Sequence, residues 1–372
     1  MRARAPKSVD IILLSLIGIL VVIGFFIFSS ASLGLLAREG ASFGSVAFNQ
    51  FFFGIIGGGV ALLITSNVYY RNWRQHAFYI FLAGIFITLL VFVPGLGMTH
   101  AGATRWIDVG FTTFQPSEFL KIAFVIYIAS LLSGTHRQID SLKYGLAPFL
   151  GALGVVAFVM LMLPDTDTFM IMAFAAIAMF FTAGAKWRHI LGLFLMAALV
   201  LSVLVMTRPY IKDRITTFMN PEADRLGSGY QIEQSLIAVG SGGFMGRGYG
   251  QSIQKFEYLP EPIGDSVFAV YAEEFGFLGS TILIILLSFF TFRGYKIATE
   301  AEDVFGMLLV VGFMTLIVSQ AFLNIAAMLG VAPLSGLPLP FISHGGTALI
   351  AILASLGIVL NVSKYRVPEK RT

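Results

Sequence analysis

One acidic residue lies at the border between a long polar segment and a long apolar run. Residues 258–274 have the sequence YLPEPIGDSVFAVYAEE, and Asp265 falls where the polar part ends. Proline and glycine restrict the backbone of this approach. A carboxylate at a membrane boundary is costly to desolvate, so a functional role is its default explanation. Because partial burial also makes a carboxylate more basic, Asp265 is a candidate general base.

A second cluster combines Arg105 with Glu118 and Lys121. Pro116 suits the first turn of a helix, and Ser117 or Gln115 is placed to cap it. Glu118 and Lys121 are three residues apart, so they share one helical face. Two interpretations stay open: the pair neutralises itself near the membrane interface, or it forms the polar wall of a cavity.

Asp165 and Asp167 lie in a tight turn between two apolar runs. Hard divalent cations prefer oxygen ligands, so two acids here can form part of a metal site. The alternative is a solvated turn in which Asp167 caps the following helix.

The segment 208–264 carries Arg208, Arg214 and a run of glycines. It has no preceding strand of a βαβ unit, so the glycines are not a nucleotide-binding fingerprint. Glycines can instead let backbone amides approach an anion, and basic residues above a membrane can hold phosphate. A flexible surface loop is the alternative.

The composition defines the class of protein. Hydrophobic residues make up 57% of the 372 residues and charged ones only 12%, about half of what soluble domains carry. The chain is therefore an integral membrane protein. It has no cysteine, which excludes disulfides and thiol chemistry.

Ten apolar runs are long enough to cross a bilayer, which takes roughly 20 residues. They cover about 10–31, 46–67, 77–94, 116–133, 145–163, 168–185, 189–207, 265–292, 303–329 and 344–362. We predict an all-α polytopic membrane protein with one domain over residues 1–372. The large loop 208–264 lies between the seventh and eighth helices, and we expect short amphipathic helices in it, for example around 229–239. The first run has no cleavage site after it, so we expect a retained helix.

The distribution of Lys and Arg predicts the orientation. With ten spans, both termini lie on one side, which we expect to be cytoplasmic. That side carries Arg2, Arg4, Lys7, Arg71, Arg74, Arg137, Lys143, Lys186, Arg188, Arg293, Lys296, Lys364, Arg366, Lys370 and Arg371. The short loops on the other side carry only Arg38 and Arg105. The 208–264 loop therefore faces outward.

Several motifs in order resemble the SEDS family, the membrane proteins of shape, elongation, division and sporulation that include FtsW and RodA. They are RWID at 105–108, FQPSE at 114–118, GSGYQ at 227–231, GSGG at 240–243, LPE at 259–261, AEEFG at 272–276 and LPLPFIS at 337–343. The PLPFIS run is slightly more similar to the FtsW branch. The chain departs from the family pattern at Ile263-Gly264, at Thr166-Asp167 and at His344.

The resemblance implies a peptidoglycan glycosyltransferase in the bacterial cytoplasmic membrane that polymerises lipid II. Asp265 matches the essential acid of the family. The substrate-binding candidates are Arg105, Glu118, Lys121, Arg208, Arg214, Gln234, Ser241 and Ser343, and Asp165 is the candidate metal ligand. Mg²⁺ or Mn²⁺ is the metal ion expected to assist the reaction, and no organic cofactor is expected. The implied partners are lipid II, a class B penicillin-binding protein and other divisome or elongasome membrane proteins, with no nucleic acid.

Two alternatives stay open. One is a flippase that moves lipid II across the bilayer, which would favour charges near the midplane beside broken helices. The other is a non-catalytic scaffold of a cell-wall complex.

Overall fold

A computed structural model describes residues 8–37, 43–100, 103–108, 110, 113–224, 227–256 and 258–367. Thirteen α-helices follow one another in this part of the chain. They are α1 (Ile11–Ser32), α2 (Phe43–Asn49), α3 (Gly58–Asn67), α4 (Tyr70–Leu89), α5 (Pro116–Thr135), α6 (Ala147–Met162), α7 (Thr166–Thr182), α8 (Trp187–Thr207), α9 (Pro209–Met219), α10 (Ser228–Ser241), α11 (Val267–Thr299), α12 (Val304–Met328) and α13 (Gly346–Ser363).

The predicted membrane spans are confirmed. Nine helical segments of the described chain are long and apolar enough to cross a membrane, and the shorter apolar helix α7 makes a tenth. The second span is continuous from Val46 to Asn67, because a π-helical segment, Gln50–Gly57, joins α2 to α3. Arg2, Arg4, Lys7, Arg38, Lys370 and Arg371, which contribute to the predicted orientation, lie outside the described residues.

The core of the bundle lies around α12 and α13. In each of these two helices 78% of the most apolar window is buried, against 11% in α8. Helix α12 packs against α5, α7, α11 and α13, and α13 packs along α3 and the π-helical segment. The side chains of α12 are therefore held from several sides, whereas α8 lies at the edge.

Both ends of the described chain meet at one end of the bundle. Asp10 caps α1 by accepting a hydrogen bond from the Leu13 amide at 2.8 Å. Its carboxylate also forms ion pairs with Arg293 and Arg366, with N–O distances of 2.5 and 2.6 Å. The start of α1, the C-terminal part of α11 and the segment after α13 are thus joined, as an even number of spans requires.

A small sheet between α4 and α5 was not predicted from the sequence. Strands β1 (Gly97–His100), β2 (Ala103–Asp108) and β3 (Thr113–Phe114) pair antiparallel in the order β1-β2-β3. Strands of two to six residues are too short to show a clear alternation of apolar and polar residues, so they were not predicted. The sheet places Arg105 beside the turn that precedes α7.

The 208–264 loop contains α9 and α10, and α10 matches the helix expected around 229–239. After α10 the chain turns back at residues 242–248 and enters a break in α11. The break is at Gly276, whose φ is 64° and ψ −162°. A glycine accepts this conformation, since it has no Cβ.

The loop satisfies the backbone groups that the break exposes. The amides of Arg247 and Gly248 donate to the carbonyls of Glu273 and Glu274 at 3.0 and 2.9 Å. In return, the amides of Phe277 and Leu278 donate to Gly243 and Phe244 at 2.9 and 3.1 Å. Irregular backbone inside a membrane span is tolerated only when its polar groups are paired in this way.

The break predicts a sensitive position. A Cβ at Gly276 would lie 2.3 Å from the Gly246 amide nitrogen. We expect Gly276→Ala to lose roughly 2–5 kcal/mol of stability through the positive φ and the overpacking, measured as a lower Tm in detergent. Gly18→Ala on α1 is the control, because nothing lies within 4 Å of its added Cβ. Equal Tm values for the two variants would contradict the role of Gly276.

Candidate functional site

Asp265 lies two residues before the first residue of α11 and is half-buried. A compact turn leads to it, in which the Glu261 carbonyl accepts from the amides of Gly264 and Ser266 at 3.0 and 3.2 Å. The predicted Pro-Gly approach therefore folds as a fixed turn, and it places the carboxylate at the end of the helix.

Two neighbouring helices hold Asp265. Gln231 on α10 donates from Nε2 to Asp265 Oδ1 at 3.2 Å and to Ser266 Oγ at 2.9 Å. Asn324 on α12 donates from Nδ2 to the Asp265 carbonyl at 2.7 Å. Gln234 is the substrate-binding candidate predicted on α10, but Gln231 is the residue that contacts Asp265.

Burial raises the pKa of the Asp265 carboxyl to about 6. The hydrogen bond from Gln231 opposes this rise in pKa, the negative charge of Glu261 adds to it, and the positive charge of Arg214 opposes it. A carboxylate with this pKa is ionised at neutral pH and is a stronger base than a solvated aspartate.

The 334–345 segment packs against the same turn. Ser343 Oγ donates to the Gly264 carbonyl at 2.6 Å and accepts from the Leu339 amide at 2.7 Å. Asn324 also donates to the Leu337 carbonyl at 2.8 Å. The hydroxyl of Ser343 is thus used to hold backbone, which differs from the substrate contact predicted for it.

Glu118 and Lys121 form a direct ion pair inside the bundle. Lys121 Nζ lies 2.8 Å from Glu118 Oε1, and each residue is only 4% exposed. Lys121 also donates to Gln320 Oε1 at 3.2 Å, and Gln320 donates to the Pro338 carbonyl at 2.8 Å. Gln320 and Asn324 are one turn apart on α12. The Glu118–Lys121 ion pair is therefore connected, through Gln320, to the 334–345 segment that supports Asp265.

The cavity beside this ion pair is too small for the second interpretation, in which Glu118 and Lys121 form the polar wall of a cavity. It measures about 20 Å³, lies between α5, α12 and α13, and includes Ser355. That volume holds roughly one water molecule. Glu118 Oε2 has no partner among the described residues, and Asp265 is not among those that line the cavity. The first interpretation, a self-neutralising pair, fits better.

Charges alternate along a row beside the turn before α7. Arg105 donates to the carbonyls of Leu163 and Pro164, and its Nη1 lies 3.8 Å from Asp165 Oδ1. Arg214 on α9 donates to Asp167 Oδ2. Asp165, rather than Asp167, occupies the position before α7, and within the described chain its side chain makes no capping hydrogen bond. The prediction of Asp167 as a cap is therefore wrong: its carboxylate pairs with Arg214.

Two more predicted site residues make no contact with Asp265 among the described residues. Arg208 joins α8 to α9 and is exposed. Ser241 donates to the Ala238 carbonyl of its own helix at 3.0 Å. At the start of α5, Pro116 occupies the first turn as expected, but neither Gln115 nor Ser117 makes a capping bond among the residues described.

A buried charge cluster, the loop anchor, was missed by the sequence analysis. It consists of Lys255, Glu273, Glu274, Ser252 and Ser30. Lys255 Nζ lies 2.8 Å from Glu274 Oε1 and donates to Ser30 Oγ at 3.2 Å. Ser252 Oγ donates to Glu273 Oε2 at 2.6 Å. The sequence carried a signal: Lys255 is the only Lys or Arg between Arg247 and Arg293, and two adjacent acids in an apolar run need a cation.

The described residues contain no group of three or more His, Asp or Glu side chains that could hold a metal ion. Asp165 is nevertheless buried, and its Oδ2 has no partner in the part of the chain described. Mg²⁺ is commonly bound by one or two carboxylates together with substrate phosphates. Asp165 fits such a shared site and does not form a complete one.

Comparisons with known proteins agree with this architecture. The FtsW/RodA/SpoVE family model, described as cell cycle protein, matches residues 10–367. The chain is 41% identical to stage V sporulation protein E of Bacillus subtilis (strain 168), covering 83% of this chain and 84% of that protein. It is 38% identical to a probable peptidoglycan glycosyltransferase FtsW of Geobacter sp. (strain M18), covering 97% and 98%.

Two solved structures have the same fold. A chain in a peptidoglycan synthase complex that coordinates polymerization and crosslinking matches with a TM-score of 0.80 and 29% identity, covering 97% of this chain and 99% of that one. The Thermus thermophilus rod shape determining protein RodA matches with a TM-score of 0.69 and 25% identity, at the same coverage.

The buried ion pair predicts an asymmetric response to mutation. We expect Lys121→Met to lose about 3–5 kcal/mol of stability, because Glu118 is left buried and uncompensated. The measurement is Tm in detergent, and adding Glu118→Gln should recover part of the loss. Lys186→Met is the control, since its pair with Asp140 is 46% exposed on both sides. A Tm for Lys121→Met equal to that of the control would contradict the prediction.

Proposed function

The chain belongs to the FtsW/RodA/SpoVE family of cell cycle proteins, and we propose that it is a peptidoglycan glycosyltransferase. Its substrate is lipid II, the undecaprenyl-diphosphate-linked disaccharide-peptide, and its product is a glycan strand. The observation that carries this proposal is the half-buried carboxylate of Asp265, held at the end of α11 with its pKa raised to about 6.

Asp265 acts as the general base in this proposal. The 4-hydroxyl of the acceptor sugar is a poor nucleophile at neutral pH. Asp265 accepts its proton as the hydroxyl oxygen bonds to the anomeric carbon of the donor. The bond from that carbon to the lipid diphosphate breaks in the same reaction, and the diphosphate leaves with the electron pair. Positioned bases of this kind contribute typically about 10²- to 10⁴-fold in rate.

The leaving diphosphate needs positive charge, which arginine supplies well. Arg208 is the first candidate, because it is exposed and pairs with no acid among the described residues. Arg105 and Arg214 are partly engaged with Asp165 and Asp167, so they are second candidates. When bound, Mg²⁺ or Mn²⁺ would add charge stabilisation, with Asp165 as the candidate protein ligand.

A lipid II flippase is the second candidate function, and one observation favours it. Helix α11 is broken at Gly276 inside its membrane span, with charged residues beside the break. Transporters use such breaks to bind substrates near the midplane. Here, however, residues 243–248 occupy the break and the loop anchor is fully buried, so no substrate site is open there. The enzyme is therefore the better-supported proposal.

We also propose a class B penicillin-binding protein as the partner, within a divisome or elongasome. The support is the similarity to a chain of a synthase complex that couples polymerization to crosslinking. Similarity to FtsW and to stage V sporulation protein E at 38% and 41% identity favours a division or sporulation role. The identity to RodA is 25%.

Asp265→Asn tests the catalytic assignment. Asn is nearly isosteric but not basic, so purified protein should polymerise lipid II about 10²- to 10⁴-fold more slowly, measured as glycan product on gels. Wild-type activity should fall as pH decreases below about 6, since the base must be deprotonated. Asp213→Asn, an exposed acid of the same loop, is the control. Near-normal product from Asp265→Asn would favour the flippase or scaffold alternatives.

The orientation is a separate proposal: both termini cytoplasmic and the 208–264 loop outside. Since the chain has no cysteine, single cysteines report their side of the membrane cleanly. In intact cells an impermeant thiol reagent should label Thr216→Cys in α9 and not Thr299→Cys at the end of α11; both positions are exposed. The reverse labelling pattern would mean that the orientation is inverted.

A further inference from the structure

The turn at residues 343–345 holds the backbone that precedes Asp265. Ser343 Oγ donates to the Gly264 carbonyl at 2.6 Å. The amide of His344 donates to the Ile263 carbonyl at 2.7 Å. These two bonds fix the two peptide units before Asp265, so the direction of its carboxylate depends on where this turn lies.

One side chain holds the turn from the opposite side. Gln50 Oε1 accepts from the Gly345 amide at 3.1 Å, and Gln50 Nε2 donates to the Ser343 carbonyl at 3.3 Å. Gln50 is 3% exposed and begins the π-helical segment of the second span. A primary amide suits this position, because it can accept and donate at the same time.

The π-helical segment explains why Gln50 reaches the turn. A π-helix adds a residue per turn and re-aims the side chains at its ends, and such segments occur frequently at functional sites. The segment packs against α13, which begins directly after the turn. Without Gln50, the part-buried amide of Gly345 and the buried carbonyl of Ser343 would lose their partners, which is costly where water has little access.

We propose that Gln50 is a positioning residue for the reaction: it fixes the 343–345 turn, and through it the backbone before Asp265. This inference rests on the proposed function, because it assumes that Asp265 reacts. Gln50 itself contacts neither Asp265 nor any group assigned to the substrate among the described residues. It acts only through Ser343 and Gly345.

A structural role alone would lower stability, so the test needs a readout that stability does not change. If the turn loosens, water reaches Asp265 more easily and the burial that raises its pKa is reduced. The acid limb of the rate–pH profile should then move to lower pH. The other groups around Asp265 are Gln231, Glu261 and Arg214, and they are unchanged in a Gln50 variant. His344 lies in the turn itself, and burial lowers its pKa, so a looser turn would raise the pKa of His344, the direction opposite to the shift expected for Asp265.

The experiment compares purified full-length proteins in the lipid II polymerisation assay. Gln50→Met is close in size and lacks both hydrogen bonds. Its kcat should fall roughly 10- to 100-fold, as expected for a misplaced catalytic group, with KM little changed. The control is Thr65→Val, which removes a hydrogen bond from Thr65 Oγ1 to the Ala354 carbonyl at 2.8 Å in the same helix pair. It should lower Tm without changing kcat or the pH profile.

Two further variants keep the proposal falsifiable. Gln50→Leu is also uncharged, is close in size and lacks both hydrogen bonds, so it should lose activity to about the same extent as Gln50→Met, and it replaces that variant if Gln50→Met does not fold. Combining Gln50→Met with Ser343→Ala should cost little more than the larger single change, because both act on one turn.

The outcomes separate the two proposals. A wild-type protein that does not polymerise lipid II would count against the proposed function. An active wild type with equally active Gln50 variants, or an equal loss of kcat in Thr65→Val, would overturn the positioning role and leave the proposed function intact.

Discussion

The buried ion pair between Lys255 and Glu274 is the interaction on which the 208–264 loop and the site beside it depend. Lys255 is completely buried, and Glu274 is 2% exposed. Such a pair is stable only when the remaining donors and acceptors are also satisfied. Here Ser30 of α1 donates to Glu274, and the Gly250 carbonyl accepts from Lys255 at 2.9 Å. One pair therefore ties the long loop to two membrane helices and fixes the start of the approach to Asp265.

Uncharged polar side chains complete the support on the other side of Asp265. Asn324, Gln231, Ser343 and Gln50 each donate to a site residue or to the backbone beside it. Amides and hydroxyls make such contacts without the desolvation penalty of a buried charge. The charges of the described site thus lie on the carboxylate that is proposed to react, on Glu261 in the turn before it, in ion pairs and on the exposed Arg208.

The sequence predicted the membrane spans and the position of Asp265 because both leave strong local signals. Ten apolar runs of sufficient length can form only spans, and an acid beside a Pro-Gly turn at the end of such a run is conspicuous. Lys255 left only an indirect signal, as the single cation near two adjacent acids 19 residues away, and Gln50 left none, since its partners lie almost 300 residues away in the sequence. The break at Gly276 was not predictable either, because glycine is common in membrane helices. A glycine marks a break only where another segment, here the inserted loop, pairs the exposed backbone groups.

The break in α11 also divides that helix mechanically. Residues 267–275 are bonded to the loop through the carbonyls of Glu273 and Glu274, while the part after Gly276 begins with amides that bond to Gly243 and Phe244. The nine residues before the break are therefore bonded to the loop independently of the part after Gly276. The two parts of α11 are joined by the Gly276 backbone, by the 243–248 turn and by the hydrogen bond from the Tyr271 hydroxyl to the Gly279 carbonyl at 2.8 Å. A force applied to the part after Gly276, from lipid or from a bound helix, reaches Asp265 through these three connections and not along a continuous helix axis.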